Sequence, residues 1–464
     1  MLSDPVTAVD ASGTPSLRRL LRWRSACIIS LGSPLLVTVS LGPMAAEIGA
    51  ASVLVWTVTA FIGLVQCLFI AELAGRFPHR AGGAPAYAHQ GLKHLSPLLG
   101  AVAGWSYWVG WIPGVAVNLT LAASYLRAAF WPGANVLGVT LALVVLLYAL
   151  NRLGLRCSAW TAALMAACAV VPLLLVLAAP LLRVGTWHWQ NFAPLLPDRG
   201  GASAPSTLAL LAKWAFVAVW SSYGAEMVAT MTGELRDPRR DIPRAIGLTA
   251  VTTLAAFAIV PTVLVGTVGS NGLAKDPYVV FLTAARATFG GIGSQLVAVM
   301  LIAALILSAQ LFIISSSRAL HQMSRDGLSL RMYRRVNRHG APTGSVAWDA
   351  LVTLSLLAIF RDDVVDVVAS ANVGYLLVFV LLPLAYVLVR RRDGGAHGGF
   401  TLPPYMVAVA SLVFAFNVVL LVAGGSQWGP GVMAVGLLLV LTFVPFHVRA
   451  RRTTRPDGVE GILG

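Results

Sequence analysis

The stretch Trp220-Ser221-Ser222-Tyr223-Gly224-Ala225-Glu226 puts an aromatic ring, small polar residues, a glycine and a carboxylate inside one apolar run. A carboxylate within a membrane-crossing helix is costly and by default functional. Glu226 is therefore a candidate proton carrier; the competing reading is a structural carboxylate held by backbone N–H groups. A second interruption is Leu31-Gly32-Ser33-Pro34-Leu35-Leu36, followed by Leu41-Gly42-Pro43. Pro34 removes a backbone donor and clashes with the preceding turn. Unwound backbone is tolerated in a bilayer only where it is buried or lines a cavity. Two such breaks aim half-helix dipoles and bare peptide groups at a charged solute. N–H groups suit a carboxylate and C=O groups an ammonium, so a zwitterion matches both. Ser33, Pro34, Leu35, Leu36, Trp220, Ser221, Ser222, Tyr223 and Gly224 are the candidate binding residues. The competing reading is a proline kink and a glycine packing contact.

Other polar or aromatic residues lie in apolar segments. Lys213 either lines an outer vestibule or snorkels to the surface. Trp108 belongs to a cluster with Trp105, Tyr107 and Trp111 that straddles several helix faces, some facing the pocket and most packing. Ser308 and Gln310 are candidates to face the break and help hold an ion. Glu72, Glu234 and Asp326 stand near helix ends among arginines and are expected to be solvated, with gate-like salt bridges as the alternative. Cys27, Cys67, Cys157 and Cys168 form no C-x-x-C pair and read as small buried hydrophobes. The histidines are assigned no role. No Walker A loop, H-E-x-x-H motif or metal-ligand cluster is present in the sequence, which argues against an ATP-driven pump and a membrane metalloprotease.

These residues need helices to hold them. The chain is 58% hydrophobic and 11% charged over 464 residues, against roughly 25% charged in soluble domains. Apolar runs near the length that crosses a bilayer recur about twelve times. The expected helices are 26–47, 52–75, 98–128, 135–151, 158–182, 206–232, 246–269, 289–318, 346–360, 367–390, 403–424 and 429–448. Arginines mark every second loop, from Arg76 and Arg80 through Arg152 and Arg156, Arg236 to Arg244 and Arg325 to Arg338, to Arg390–Arg392. The net charge of +15 therefore reads as membrane orientation with both termini cytoplasmic, not as nucleic-acid binding. Trp131, Trp187, Trp189 and Trp428 fall at outer helix ends, as an interfacial belt requires. The interrupted helices are the first and the sixth, the spacing of two inverted five-helix repeats.

The helix-six run and the loop Gly233-Glu234-Leu235-Arg236-Asp237-Pro238-Arg239-Arg240-Asp241-Ile242-Pro243-Arg244 resemble the amino acid–polyamine–organocation family of permeases. Further matches are Ala71-Glu72-Leu73-Ala74-Gly75-Arg76-Phe77-Pro78, Ser315-Ser316-Ser317-Arg318 with Met323-Ser324-Arg325-Asp326-Gly327-Leu328, and Asn372-Val373-Gly374-Tyr375. The likeness spans roughly residues 20–450. It implies an all-α polytopic membrane protein with a LeuT-like 5+5 inverted repeat and two C-terminal helices. The repeats would be 21–185 and 200–393, the extra helices 400–450, and the tails 1–20 (disordered) and 451–464. By position, Trp220 resembles the family's aromatic gate, and the backbone of Ser221–Gly224 would hold the ammonium. Helix one departs from the family's glycine-rich run: Leu35 and Leu36 leave less room for backbone approach.

The resulting expectation is a cell-membrane secondary transporter, not an enzyme, moving a neutral amino acid or related amine by alternating access. Proton symport is the preferred coupling, with sodium as the other ion and obligate exchange as the runner-up. A solute sensor or accessory subunit that carries no flux is the alternative class. The partners implied are the small solute and the lipid bilayer, with no cofactor; oligomeric state is left open.

Overall fold

A computed structural model describes residues 8–9, 15–16, 22–30, 39–78, 82–152, 159–183, 185–197, 204–325, 327–335, 337, 342–361, 363–393 and 399–453. Among the described residues the architecture is helical apart from one antiparallel pair of two-residue strands, Ala8–Val9 and Pro15–Ser16. Among the described residues, nine helices are long and apolar enough to cross a membrane, and Val136–Arg152 and Val170–Leu182 are shorter apolar helices. Helices are the form such runs must take, because lipid offers the backbone no hydrogen-bond partner.

The first expected segment is described in two pieces, α1 (Trp23–Ser30) and α2 (Leu41–Ile48). Ser33, Pro34, Leu35 and Leu36 lie outside the described residues. Helices α3 (Ala51–Arg76), α7 (Val136–Arg152), α8 (Ala159–Leu182), α13 (Thr343–Phe360) and α14 (Val364–Asp393) agree with the expected segments to within a few residues. A short α4 (Gly83–Leu92) follows α3, entered through Gly82 at φ 109. The third segment divides into α5 (Pro97–Trp111) and α6 (Pro113–Ala129) at Pro113, which has no N–H to continue the ladder.

The sixth segment changes helix type. Helix α9 (Ala204–Ser222) stops, and a 3-10 helix runs from Gly224 to Glu234. Helix α10 (Pro238–Val268) begins well before the expected residue 246, with Pro238 in the first turn where its missing N–H is harmless. After α11 (Ser270–Lys275), α12 (Val280–Arg325) is also longer than expected and bends at Gly290, whose φ of 72 breaks the helical path. Helix α15 (Met406–Val419) continues through a π turn, Leu420–Gly424, and a 3-10 turn, Gly425–Trp428. Helices α16 (Pro430–Leu441) and α17 (Phe443–Thr453) complete the fold.

Packing brings α3 against α10, α6 against α12, and α5 against α14. Small residues let helices approach closely in lipid. A Cβ on Gly63 of α3 would lie 2.8 Å from the Ser222 carbonyl oxygen, and one on Gly110 of α5 would lie 2.6 Å from Cβ of Tyr375. These two contacts draw α3, α5, α9 and α14 onto one centre.

A buried brace fixes the same helices. Glu72 of α3 is completely buried. It accepts from Arg76 at 2.8 Å, Arg390 at 3.0 Å, the Tyr386 hydroxyl at 2.9 Å and the Leu402 backbone N–H at 3.0 Å. The expected solvated charge is instead a junction of α3, α14 and the segment entering α15. Only buried donors in this number hold a carboxylate out of water. Asp326 and the side chain of Glu234 lie outside the described residues.

Candidate functional site

Glu226 occupies the first turn of the 3-10 helix, directly beyond the end of α9. A 3-10 run of this length is uncommon and marks a hinge or a strained segment. The Glu226 side chain is fully buried. The Tyr107 hydroxyl of α5 donates to Oε1 at 2.9 Å. Trp111, one turn further along α5, and Tyr375 of α14 face the same carboxylate. Neither the Trp111 N–H nor the Tyr375 hydroxyl closes a hydrogen bond, and Glu226 Oε2, Ser221 Oγ and Ser222 Oγ are likewise without a partner. Buried polar atoms are normally paired. A concentration of open donors and acceptors at one helix interruption is the chemistry a polar solute or a proton can use.

Trp220 closes one side of this centre. It is fully buried, donates its indole N–H to the Gly110 carbonyl at 2.6 Å, and stacks on Phe312 at 6.2 Å. Its ring also meets Trp111 at 5.9 Å, and Trp111 meets Tyr375 at 4.9 Å. Tyr223 points elsewhere: its hydroxyl donates to Asn417 Oδ1 at 3.0 Å, and Asn417 Nδ2 donates to Gln66 Oε1 at 3.2 Å. Its hydroxyl therefore belongs to an amide network between α3 and α15. Gly224 starts the 3-10 helix.

Of the remaining candidates, Trp108, Gln310 and Lys213 have partners other than Glu226. Trp108 donates at 2.7 Å to Asp349 of α13, and Ser316 donates at 2.6 Å to the other oxygen of that carboxylate. Trp108 thus serves a second buried acid. Gln310 exchanges hydrogen bonds with Asn151 of α7 at 2.8 and 2.9 Å, which occupies its amide in helix pairing. Ser308 is half-buried on α12. Lys213 is partly exposed and has an acidic partner. It pairs with Glu47 of α2 at 2.7 Å, and its ammonium lies 4.9 Å from the centre of the Trp428 ring. Trp214 donates to the same Glu47 carboxylate at 3.0 Å.

Sequence reasoning did not single out Tyr375, Asp349 or Glu47, and left Tyr107 within an undivided aromatic cluster. Helical periodicity divides that cluster: Tyr107 and Trp111 are four apart on one face. Trp105 and Trp108 share another, where Trp105 donates to the Leu439 carbonyl at 3.0 Å. Asp349 carries the same signal as Glu226, an acid inside an apolar run.

Apolar helices wrapped around a buried polar centre define a multi-pass membrane protein. The profile of the amino acid permease family matches residues 21–444, and the chain belongs to that family; it is a transporter, not an enzyme. The resemblance to amino acid–polyamine–organocation permeases is thus one of membership. The chain is similar to the amino-acid permease RocE of Bacillus subtilis, with 27% identity over 411 residues, 82% of this chain and 83% of that protein. It is also similar to an uncharacterised transporter of Mycobacterium tuberculosis, 28% identical over 453 residues and 95% of each chain. The lysine-specific permease LysP of Lactococcus lactis is 23% identical over 273 residues, 55% of this chain and 53% of that one.

Proposed function

We propose that this permease moves a neutral amino acid or a closely related amine by alternating access, driven by proton symport. The frame is a twelve-helix, LeuT-like protein with two inverted five-helix repeats and both termini in the cytoplasm. The solute lies between the break in the first segment, at Ser33 to Leu36, and the α-to-3-10 transition at Ser221 to Gly224. Trp220 covers it, and Glu226 carries the coupling proton. The observation that supports this reading is the convergence of Glu226, Tyr107, Trp111 and Tyr375 beside that transition, with several of their polar atoms open. A fixed dibasic-solute site would need more negative charge than one carboxylate provides.

The test is uptake of radiolabelled amino acids into proteoliposomes, competed with a panel of neutral, basic and acidic amino acids. Neutral amino acids are expected to accumulate and to compete best. Saturable binding without accumulation would contradict the transport reading, and competition dominated by lysine or arginine would contradict the proposed solute class.

A further inference from the structure

A second site lies at the opposite end of α10 from its apolar terminus. Asp237, Arg239, Arg240, Pro243, Arg244, Gly399 and Phe400 surround an open cavity of about 670 Å³. The three arginines are exposed. The one ion pair among them in the described residues is Arg240 with Asp237, at 4.0 Å and with both side chains more than half exposed. Such a pair contributes little, so the cavity keeps an excess of positive charge. No acid of the described residues neutralises Arg239 or Arg244.

The same face of α10 then becomes apolar. Counting by helical turns from Arg240 and Arg244 leads to Leu248, Val251 and Ile259, which are 48%, 56% and 48% exposed. In a helix that crosses a membrane, this exposed apolar face meets acyl chains. The arginines therefore stand where a lipid on that face would carry its headgroup. Phe400, 37% exposed, supplies an apolar wall on the far side of the cavity. Guanidinium groups match phosphate geometry by paired donors, and basic pockets at helix ends recognise anionic headgroups.

We infer that this cavity binds the phosphate headgroup of an anionic phospholipid, with Arg240 and Arg244 as the principal ligands and the acyl chains along Leu248 and Val251. A soluble anion would need the arginines but not the apolar stripe. The stripe continues directly from them, which favours lipid. Each guanidinium near a membrane surface contributes about fivefold in affinity.

The experiment uses the purified full-length chain in a mild detergent and reads bound lipid by native mass spectrometry alongside thermal unfolding. The probes are cardiolipin, phosphatidylglycerol, phosphatidylethanolamine and glycerol 3-phosphate. The anionic lipids are expected to bind and raise the unfolding temperature, while phosphatidylethanolamine and glycerol 3-phosphate do neither. The double variant Arg240→Gln/Arg244→Gln should bind anionic lipid roughly 25-fold more weakly. Arg127→Gln, on another helix, should bind as the unaltered protein does. If the double variant does not purify, Arg244→Gln alone should show about a fivefold loss. Equal action by glycerol 3-phosphate, or unchanged lipid binding in the arginine variants, overturns the assignment. Because the readout is lipid binding, its failure is separate from any failure of transport.

Discussion

Replacing Glu72 with Gln removes the charge of the brace while nearly keeping its shape. Two arginines then face a neutral amide in a place where their side chains are only 5% and 7% exposed. Breaking a buried ion pair in this way costs about 3–5 kcal/mol, because the remaining charge stays desolvated. Two features place the expected loss near ~3 kcal/mol, the lower end of that range. The amide oxygen still accepts from two of the four donor residues, and Arg390 retains its 3.0 Å hydrogen bond to the Leu402 carbonyl. The assay is reversible unfolding in mixed micelles with increasing denaturing detergent. The double variant Glu72→Gln/Arg390→Gln should recover part of the loss, giving a coupling energy above ~1 kcal/mol. A loss below ~1 kcal/mol for the single variant, the range of exposed pairs, would refute the view that this carboxylate is dry. It would also refute the brace as the tie between α3 and α14, the helices that carry Gly63 and Tyr375 to the site.

Trp220→Phe should retain transport, because the stack on Phe312 survives, whereas Trp220→Ala should abolish uptake and destabilise the fold by about 3–5 kcal/mol; uptake and unfolding measured on the same preparations check both. Asp349→Asn weakens charge-assisted hydrogen bonds from Trp108 and Ser316 and should cost about 1.5–3 kcal/mol of stability, while leaving the pH dependence of uptake unchanged. A double-mutant cycle over Glu47→Gln and Lys213→Met should give no more than about 1 kcal/mol. That pair keeps 32% and 21% side-chain exposure, and a larger coupling would mean that it closes a dry gate.

The helical frame was legible because the bilayer imposes one rule on every segment: length and apolarity. Segments such as α3, α7 and α14 therefore follow the hydropathy pattern closely. The errors fall where the chain leaves the apolar zone. Helix α10 begins at Pro238 among arginines, where hydropathy carries no signal, and α12 begins at Val280 in a short apolar stretch that the Gly290 bend separates from the long run after it. Glu226 was legible as an acid in an apolar run, and the change of helix type begins within the Ser221-Ser222-Tyr223-Gly224 stretch that the sequence marks. Its partners were not legible, because Tyr107, Trp111 and Tyr375 meet through α5–α14 packing. The same limit explains Lys213, whose partner Glu47 lies 166 residues away, and Glu72, whose ligands Tyr386 and Arg390 lie on a distant helix. Gln310, a candidate to face the break, and Trp108, one of an aromatic cluster expected to line the pocket or pack, instead bond Asn151 and Asp349, partners fixed by helix packing.

The central claim is that Glu226 carries the proton that drives the solute. Proteoliposomes loaded with a pH-sensitive dye and given a neutral amino acid outside test it directly, with dye response and radiolabel uptake read together. The account predicts internal acidification in step with uptake for the unaltered chain. It predicts that Glu226→Gln loses acidification and concentrative uptake while still equilibrating or exchanging the amino acid. Unaltered acidification in Glu226→Gln would contradict it.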